Sequence, residues 1–204
     1  MYYQKAVLSI VLGIVVAAGC SRGPKRVLPP SIDPAAAGSE AIALYDADKD
    51  GKISGAELDK CPALKSALGR IDKDGDKSLT ADEITKRIEA WLALKIGRVP
   101  ITCTVMSNGR PLPDAEVRFV PEKFLGENMT AAQGKTNPNG MALVSIEMTD
   151  SSDSPGVPPG LYRVEITKNG EDIPAKFNSE TTLGQEVALD APGIREGIKF
   201  NLAY

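Results

Sequence analysis

The spacing of apolar positions along the chain changes near residue 100. Before Pro100, the last apolar stripe follows a helical period and consists of Ile84, Ile88, Trp91 and Leu92. After Pro100, apolar and polar residues alternate in short segments separated by glycine and proline turns, as in β-strands. These segments cover residues 101–105, 115–119, 141–146, 161–167, 187–189 and 198–202. The pattern predicts a multidomain α+β chain, with a helical domain at 39–97 and an antiparallel β-sandwich at 98–204.

Polar residues in the helical half form a twelve-residue pattern that predicts a calcium-binding loop. A Ca²⁺ ion takes about six to eight oxygen ligands, which such a loop supplies from positions 1, 3, 5, 7, 9 and 12, with a sharp turn at position 6. Gly51 falls at the turn. The ligand positions are filled by Asp46, Asp48, Asp50, the backbone carbonyl of Lys52, Ser54 and Glu57. The alternative is an acidic turn that binds only water.

The same offsets recur further along the chain. The ligand positions of this second loop are filled by Asp72, Asp74, Asp76, Ser78, Thr80 and Glu83. The departure is position 6, where Lys77 replaces glycine and a left-handed backbone costs about 1–2 kcal/mol. We therefore expect two Ca²⁺ sites of which the second is weaker, with Gly75 allowing the loop to adapt.

Two further features connect the loops to each other and to helices. Position 8 is apolar in both loops, Ile53 and Leu79, as expected if the loops pair through a short strand. Residues 54–57 and 80–83 are capping boxes, so each outgoing helix is predicted to begin inside its loop. These residues resemble the paired EF-hand family over roughly residues 39–96.

The helices between the two loops are predicted to be short. Pro62 suits the first turn of a helix but cannot continue one that began earlier. We therefore expect a stub helix at 56–60 and a second helix at 62–71. A calcium sensor needs long helices and a Met-rich face. The sequence has neither here, which favours a structural role for the ion over switching.

The N-terminus has the pattern of an export signal. Lys5 precedes an apolar stretch at 6–18, which Cys20 follows closely. The ending resembles a bacterial lipoprotein box, which implies removal of the signal peptide at 1–19 and a lipid on Cys20. An uncleaved anchor is the alternative, but a span needs about 20 apolar residues. The proline-rich stretch 20–38 is predicted to be a flexible tether.

The amino-acid composition argues against several kinds of function for this chain. The chain has no histidine, the commonest general base and transition-metal ligand. Its 24 basic and 27 acidic residues leave no basic face, so a nucleic-acid partner is not expected. In an exported chain, Cys61 and Cys103 predict a disulfide between the domains, with two separate buried thiols as the alternative. No catalytic residue is predicted, because the remaining acidic candidates lie in polar turns: Asp150, Asp153, Glu171 and Asp172.

Two strings in the second half resemble the transthyretin-like (prealbumin-like) fold of carboxypeptidase regulatory-like domains. They are GRPLPDAEV at 109–117 and PGLYRV at 159–164. Longer stretches at 119–126 and 173–178 are similar to a group of bacterial surface lipoproteins built on this domain. The resemblance implies a β-sandwich that serves as an accessory module without catalytic residues.

Three functions are compatible with these features. The first is a calcium-binding lipoprotein of the cell envelope, anchored in the membrane by its lipid. It would be extracytoplasmic, at the outer membrane or cell surface rather than the inner membrane, with a structural or binding role toward an envelope protein or polysaccharide. The second is a dockerin-like role, in which the EF-hand pair docks onto a partner protein. The third is an envelope hydrolase. The short connection at 97–100 favours helices that pack on their own sandwich, and so the first function.

Overall fold

The computed structural model describes residues 27–148 and 154–204, and within these ranges four α-helices precede a curled β-sheet. The helices are α1 (Pro34–Tyr45), α2 (Gly55–Lys60), α3 (Pro62–Ile71) and α4 (Ala81–Ala93). The strands are β1 (Lys52–Ser54), β2 (Ser78–Thr80), β3 (Ile101–Ser107), β4 (Arg110–Pro111), β5 (Glu116–Pro121), β6 (Ala132–Lys135), β7 (Met141–Ile146), β8 (Gly160–Thr167), β9 (Gly184–Val187) and β10 (Ile198–Leu202). The predicted export signal, Cys20, Asp150 and Asp153 lie outside the described residues.

Helix α1 begins earlier than the sequence predicted. Its cap is Asp33, whose Oδ1 accepts hydrogen bonds from the N–H groups of Ala35 and Ala36, both at 3.1 Å. Pro34 takes the first helical position, where no backbone N–H is needed. The predicted flexible tether is therefore wrong for residues 34–38, which are helical.

The predicted break between the two central helices is confirmed. Helix α2 ends at Lys60, and Pro62 opens α3 at its first position. Proline lacks the N–H that a continuing helix would use, so the chain must start a new helix there. No helix of the described segments has both the length and the apolar character that a bilayer crossing requires.

The large sheet has the strand order β10-β3-β7-β6-β5-β8-β9, with β4 paired to β3. Strand β7 changes partner along its length: residues 141–144 pair with β3, and residues 145–146 pair with β6. Phe119 of β5 and Phe200 of β10 are far apart in strand order, yet their rings meet at 6.2 Å and 79°. The sheet therefore curls so that both of its halves share one apolar core.

Three details of the sheet differ from the sequence prediction. Strand β10 pairs with β3 in parallel, so the sheet is not wholly antiparallel. Strand β6, with the sequence AQGK, was missed because it lacks alternating apolar residues. Strand β9 ends at Val187, and Leu189, predicted as strand, is 40% exposed beyond it.

The predicted disulfide is absent, and the alternative of two buried thiols is what the structure contains. Cys61 lies between α2 and α3, beside Tyr45 and Glu122. Cys103 lies in β3, opposite Ala142 of β7. The two thiols serve separate parts of the core, and burial raises the pKa of Cys103 to about 12. Both side chains therefore pack as small apolar groups.

The helices pack directly on the sheet through α3. This helix contacts β8 and β9, while α1 contacts the short 3-10 turn Lys123–Leu125 that follows β5. A Cβ atom on Gly184 of β9 would lie 2.0 Å from the carbonyl oxygen of Pro62. Only glycine lets the two backbones approach this closely, so the helix–sheet contact is tight.

Candidate metal centres

The two candidate loops, loop 1 (46–57) and loop 2 (72–83), lie side by side. Their central residues form the antiparallel ladder of β1 and β2, in which Ile53 faces Leu79 and both side chains are fully buried. The predicted strand pairing between the loops is therefore confirmed. Positions 7 to 9 of both loops belong to this ladder. The ladder therefore fixes the backbone at the four predicted ligand residues Lys52, Ser54, Ser78 and Thr80.

Three aspartate side chains converge in each loop. One carboxylate oxygen of each lies within 4.8 Å of the other two. The triplets are Asp46, Asp48 and Asp50 in loop 1, and Asp72, Asp74 and Asp76 in loop 2. Six residues predicted as ligands at positions 1, 3 and 5 are thus brought together in two separate clusters. Such crowding of like charge favours a bound cation.

The first aspartate of each loop organises the backbone that follows. Asp46 accepts hydrogen bonds from the N–H groups of Lys49 at 2.6 Å and Gly51 at 2.9 Å. Asp72 accepts the corresponding bonds from Gly75 at 2.6 Å and Lys77 at 2.9 Å. The two loops therefore have matching internal geometry although their residues differ.

Positions 4 and 6 are left-handed in both loops, with glycine and lysine exchanged between them. Loop 1 has Lys49 at φ 64° and Gly51 at φ 86°, and loop 2 has Gly75 at φ 79° and Lys77 at φ 64°. Each loop thus places one lysine in a conformation that favours glycine. The predicted strain at Lys77 is present, but Lys49 carries the same strain, so this feature gives no reason for a weaker second site.

The glutamate at position 12 ties the two ends of each loop together. Glu57 accepts hydrogen bonds from the N–H groups of Ala47 at 2.7 Å and Ser54 at 2.9 Å, which lower its pKa. Glu83 accepts equivalent bonds from positions 2 and 9 of loop 2, both at 3.0 Å. Burial raises the pKa of Glu83, but these bonds outweigh it and leave the pKa below its ordinary value. Both glutamates are therefore ionised at neutral pH.

One side chain breaks the symmetry between the loops. The Nζ of Lys52, at position 7 of loop 1, lies 2.5 Å from Oδ2 of Asp76, at position 5 of loop 2. This hydrogen bond lowers the pKa of Asp76. The residue equivalent to Lys52 in loop 2 is Ser78, which brings no charge to loop 1. Loop 2 therefore already has a cationic side chain on one of its carboxylates.

The donor atoms of the two loops fit a hard cation. Every ligand position offers a carboxylate, hydroxyl or backbone carbonyl oxygen, and neither loop contains cysteine or histidine. Oxygen-only sets suit Ca²⁺ or Mg²⁺, whereas zinc and copper favour nitrogen and sulfur ligands. A twelve-residue loop with a glutamate at its end is the arrangement that Ca²⁺ uses.

Comparison with protein-family models and with curated proteins gives no match for this chain. The assignment of the loops therefore rests on their own residues and geometry.

A buried glutamate that sequence reasoning missed joins both helices of loop 2 to the sheet. Glu186 of β9 is 0% exposed and binds Arg70 of α3 through its Oε2. Its Oε1 accepts hydrogen bonds from Arg87 Nε at 2.6 Å and Trp91 Nε1 at 2.9 Å, both on α4. Arg87 also pairs with Asp190 at 2.7 Å. Because Glu186 and Arg70 are 116 residues apart, no local sequence pattern predicts this contact.

A second buried glutamate occupies the corresponding place beside loop 1. Glu122, which directly follows β5, accepts a hydrogen bond on Oε2 from the Tyr45 hydroxyl at 2.9 Å. The thiol of Cys61 is its other polar neighbour on the helical side. Tyr45 ends α1 and Cys61 follows α2, so Glu122 contacts both helices that flank loop 1.

A groove lies elsewhere, on the outer surface of β5, β6 and β8. It has a volume of about 480 Å³ and is lined by polar side chains that include Glu116 and Gln133. Three of its charged groups are in ion pairs: Arg118 Nη1 lies 3.7 Å from Glu165 Oε2, and Lys135 lies 3.1 Å from Asp114. Glu171, one of the acidic residues considered for hydrolysis, is paired with Lys168 at 2.7 Å in a surface turn.

Proposed function

We propose that this chain binds two Ca²⁺ ions as an EF-hand pair and that the ions keep its helices in one arrangement against the sheet. The observation that carries the proposal is the repetition of the two loops, down to matching hydrogen bonds at positions 1 and 12. Three aspartate carboxylates converge in each loop, and the glutamate at position 12 adds a fourth negative charge to it. A bound ion would neutralise their mutual repulsion, which otherwise destabilises the helices that begin and end there.

The two buried glutamates support a structural role over a switching role. Glu122 contacts the helices on both sides of loop 1, and Glu186 contacts the helices on both sides of loop 2. Cys61 and Arg87, the contacts on the outgoing helices, each follow position 12 of their loop by four residues. A change of angle between the flanking helices would break these contacts. Calcium that fixes the angle therefore also stabilises the helix–sheet junction.

The remaining parts of the proposal follow from the sequence. We propose a lipid on Cys20 and a location at the outer membrane or cell surface, with the helical domain and a carboxypeptidase regulatory-like sandwich outside the membrane. The curl of the sheet around Phe119 and Phe200 supports a sandwich of this kind. In this reading the sandwich is a noncatalytic module that contacts an envelope protein or polysaccharide.

The packing of the helices favours this function over dockerin-like binding. A docking domain would leave a helix face free for its partner, whereas α3 lies against β8 and β9 with backbone contact at Gly184. Arg70 and Arg87, which project from α3 and α4, are used by Glu186 of the same chain. These faces of α3 and α4 therefore contact the sheet of the same chain and are not free for a partner.

Calorimetric titration of the full chain with Ca²⁺ tests the proposal. We expect two binding events in the native protein, one in Asp46→Ala and one in Asp72→Ala. The control is Asp59→Ala, which removes an exposed carboxylate that pairs only with Lys65 and should leave both events intact. The assignment would be refuted if both loop variants still showed two binding events, or if the native protein bound no Ca²⁺.

A further inference from the structure

Glu122 is a buried carboxyl group without a cationic partner. It is 2% exposed and lies where α1 and the α2–α3 corner meet the end of β5. Its Oε2 accepts the Tyr45 hydrogen bond, while its Oε1 is fully enclosed and has no hydrogen-bond partner. An ionised carboxylate in such a place would lose its hydration with little in return.

Glu186 is the contrasting case, a buried glutamate that forms ion pairs. It is equally buried, but two guanidinium groups and an indole N–H surround it. Around Glu122, the described residues supply a phenol, a thiol and the guanidinium group of Arg163, which does not form an ion pair with it. The two junctions therefore differ in that guanidinium groups form ion pairs with Glu186 and none does so with Glu122.

We propose that Glu122 is a neutral carboxylic acid in the folded protein and that its ionisation releases α1 from the sheet, which makes this junction sensitive to pH. The proton resides on the enclosed Oε1, and Oε2 remains the carbonyl oxygen that accepts from Tyr45. The α1 contact also includes the Tyr45 ring, which stands edge-on to Phe124 at 6.3 Å and 88°. The Tyr45 phenol favours the charged form, but it cannot replace the hydration that an ionised Glu122 loses by burial. Water reaches the carboxylate only when α1 moves away, and this movement breaks both contacts.

The titratable and charged groups that face Glu122 come from three elements. They are Tyr45 of α1, Cys61 at the α2–α3 corner and Arg163 of β8. Burial raises the pKa of Glu122, and the favourable effects of Tyr45, Arg163 and Cys61 do not offset it. Burial also raises the pKa of both Tyr45 and Cys61, so neither of these neighbours carries charge near neutral pH.

The direction of the pH effect follows from this raised pKa. Below the ordinary glutamate pKa of about 4.3, the carboxyl is neutral in both the folded and the unfolded chain. As pH rises, the unfolded chain ionises first, so the stability contributed by the neutral form is lost progressively up to the folded pKa. This trend is opposite to that of Glu57 and Glu83, whose hydrogen bonds favour the charged form.

Thermal unfolding of the native protein and Glu122→Gln from about pH 5 to about pH 8, at fixed calcium concentration, tests the proposal. Glutamine keeps the shape of the neutral acid and cannot ionise. We expect the Tm of Glu122→Gln minus that of the native protein to increase with pH, by about 3 °C or more over this range. A difference that stays constant or decreases with pH would overturn the proposal.

Two further measurements remain informative if Glu122→Gln folds poorly. Infrared spectra of the native protein at neutral pH should contain the C=O band of a protonated carboxylic acid, which Tyr45→Phe should retain to higher pH because the phenol stabilises the charged form. Hydrogen exchange in α1, corrected for intrinsic rates, should accelerate as the band disappears. Absence of the band at neutral pH, or exchange in α1 that is independent of it, would overturn the proposal.

Discussion

Ile53 of β1 and Leu79 of β2 face each other between loop 1 and loop 2, and neither side chain reaches solvent. This apolar pair lies at the centre of the two-stranded ladder that joins the loops. We expect Ile53→Ala and Leu79→Ala each to lower the free energy of unfolding by about 2–5 kcal/mol. Because the ladder joins the loops, each substitution should also weaken calcium binding at both sites.

Urea denaturation and calorimetry measure the two effects. Leu94→Ala is the matched control, since this leucine is 55% exposed and its truncation should change stability by less than about 0.5 kcal/mol. If either ladder substitution weakened calcium binding at its own loop only, the two sites would not be coupled through β1 and β2.

The contact between Lys52 and Asp76 predicts which site is weaker. Calcium must displace the lysine from Asp76 in loop 2, whereas Ser78 imposes no such competition on loop 1. Lys52→Ser should strengthen binding at loop 2 by up to about fivefold, the range expected for a partly exposed ion pair. Calorimetry of Lys73→Ser, which removes a nearby positive charge without touching Asp76, provides the comparison. Equal gains in both variants would mean that general charge, and not competition for Asp76, sets the affinity.

Lys49 and Lys77 predict equal costs of backbone strain. Both residues are at φ 64°, at position 4 of loop 1 and position 6 of loop 2. Lys49→Gly and Lys77→Gly should therefore each relieve about 1 kcal/mol of strain, which chemical denaturation of calcium-loaded protein would measure. A gain confined to Lys77→Gly would restore strain as the cause of unequal sites.

Glu186 and Asp190 offer a matched pair, since both bind Arg87. Glu186 is fully buried among Arg70, Arg87 and Trp91, whereas the Asp190 side chain is 62% exposed. Glu186→Gln should lower the free energy of unfolding by about 3–5 kcal/mol, because Arg70 loses its carboxylate and the buried Arg87 keeps only the exposed Asp190. Asp190→Asn should cost less than about 1 kcal/mol. Similar losses in denaturation of the two variants would show that Glu186 has no special role in joining helices to sheet.

The sequence predicted those features that depend on local spacing. The convergence of the aspartates and the start of α3 at Pro62 follow from offsets within about a dozen residues. The Ile53–Leu79 pairing follows from the repetition of one loop pattern, in which both residues occupy position 8. The position-6 lysine was identified, but its counterpart Lys49 was not, because position 4 carries no fixed requirement in the pattern. The backbone strain at Lys77 could be inferred from the sequence. The equal strain at Lys49 in the other loop could not.

Features that depend on distant contacts were missed or wrong. Glu186 lies in the strand sequence GQEV and resembles a solvent-facing polar residue, because its partners are 99 and 116 residues away. The disulfide prediction failed for the same reason: oxidising conditions favour a bond only between cysteines that the fold brings together. Cys61 instead lies beside Glu122, and Cys103 packs inside the sheet.

The emission of Trp91, the only tryptophan, tests most directly whether calcium holds the helices against the sheet. Its indole is 2% exposed and donates to Glu186 at 2.9 Å, so it reports on the junction itself. Removing calcium from the native protein should shift this emission to the red and lower the Tm by about 5–10 °C when calcium had been in hundredfold excess over its Kd. The double variant Asp46→Ala, Asp72→Ala should show the shifted emission with or without calcium. Unchanged emission and Tm on chelation, or apolar surface exposed by added calcium, would contradict a structural role for the ion.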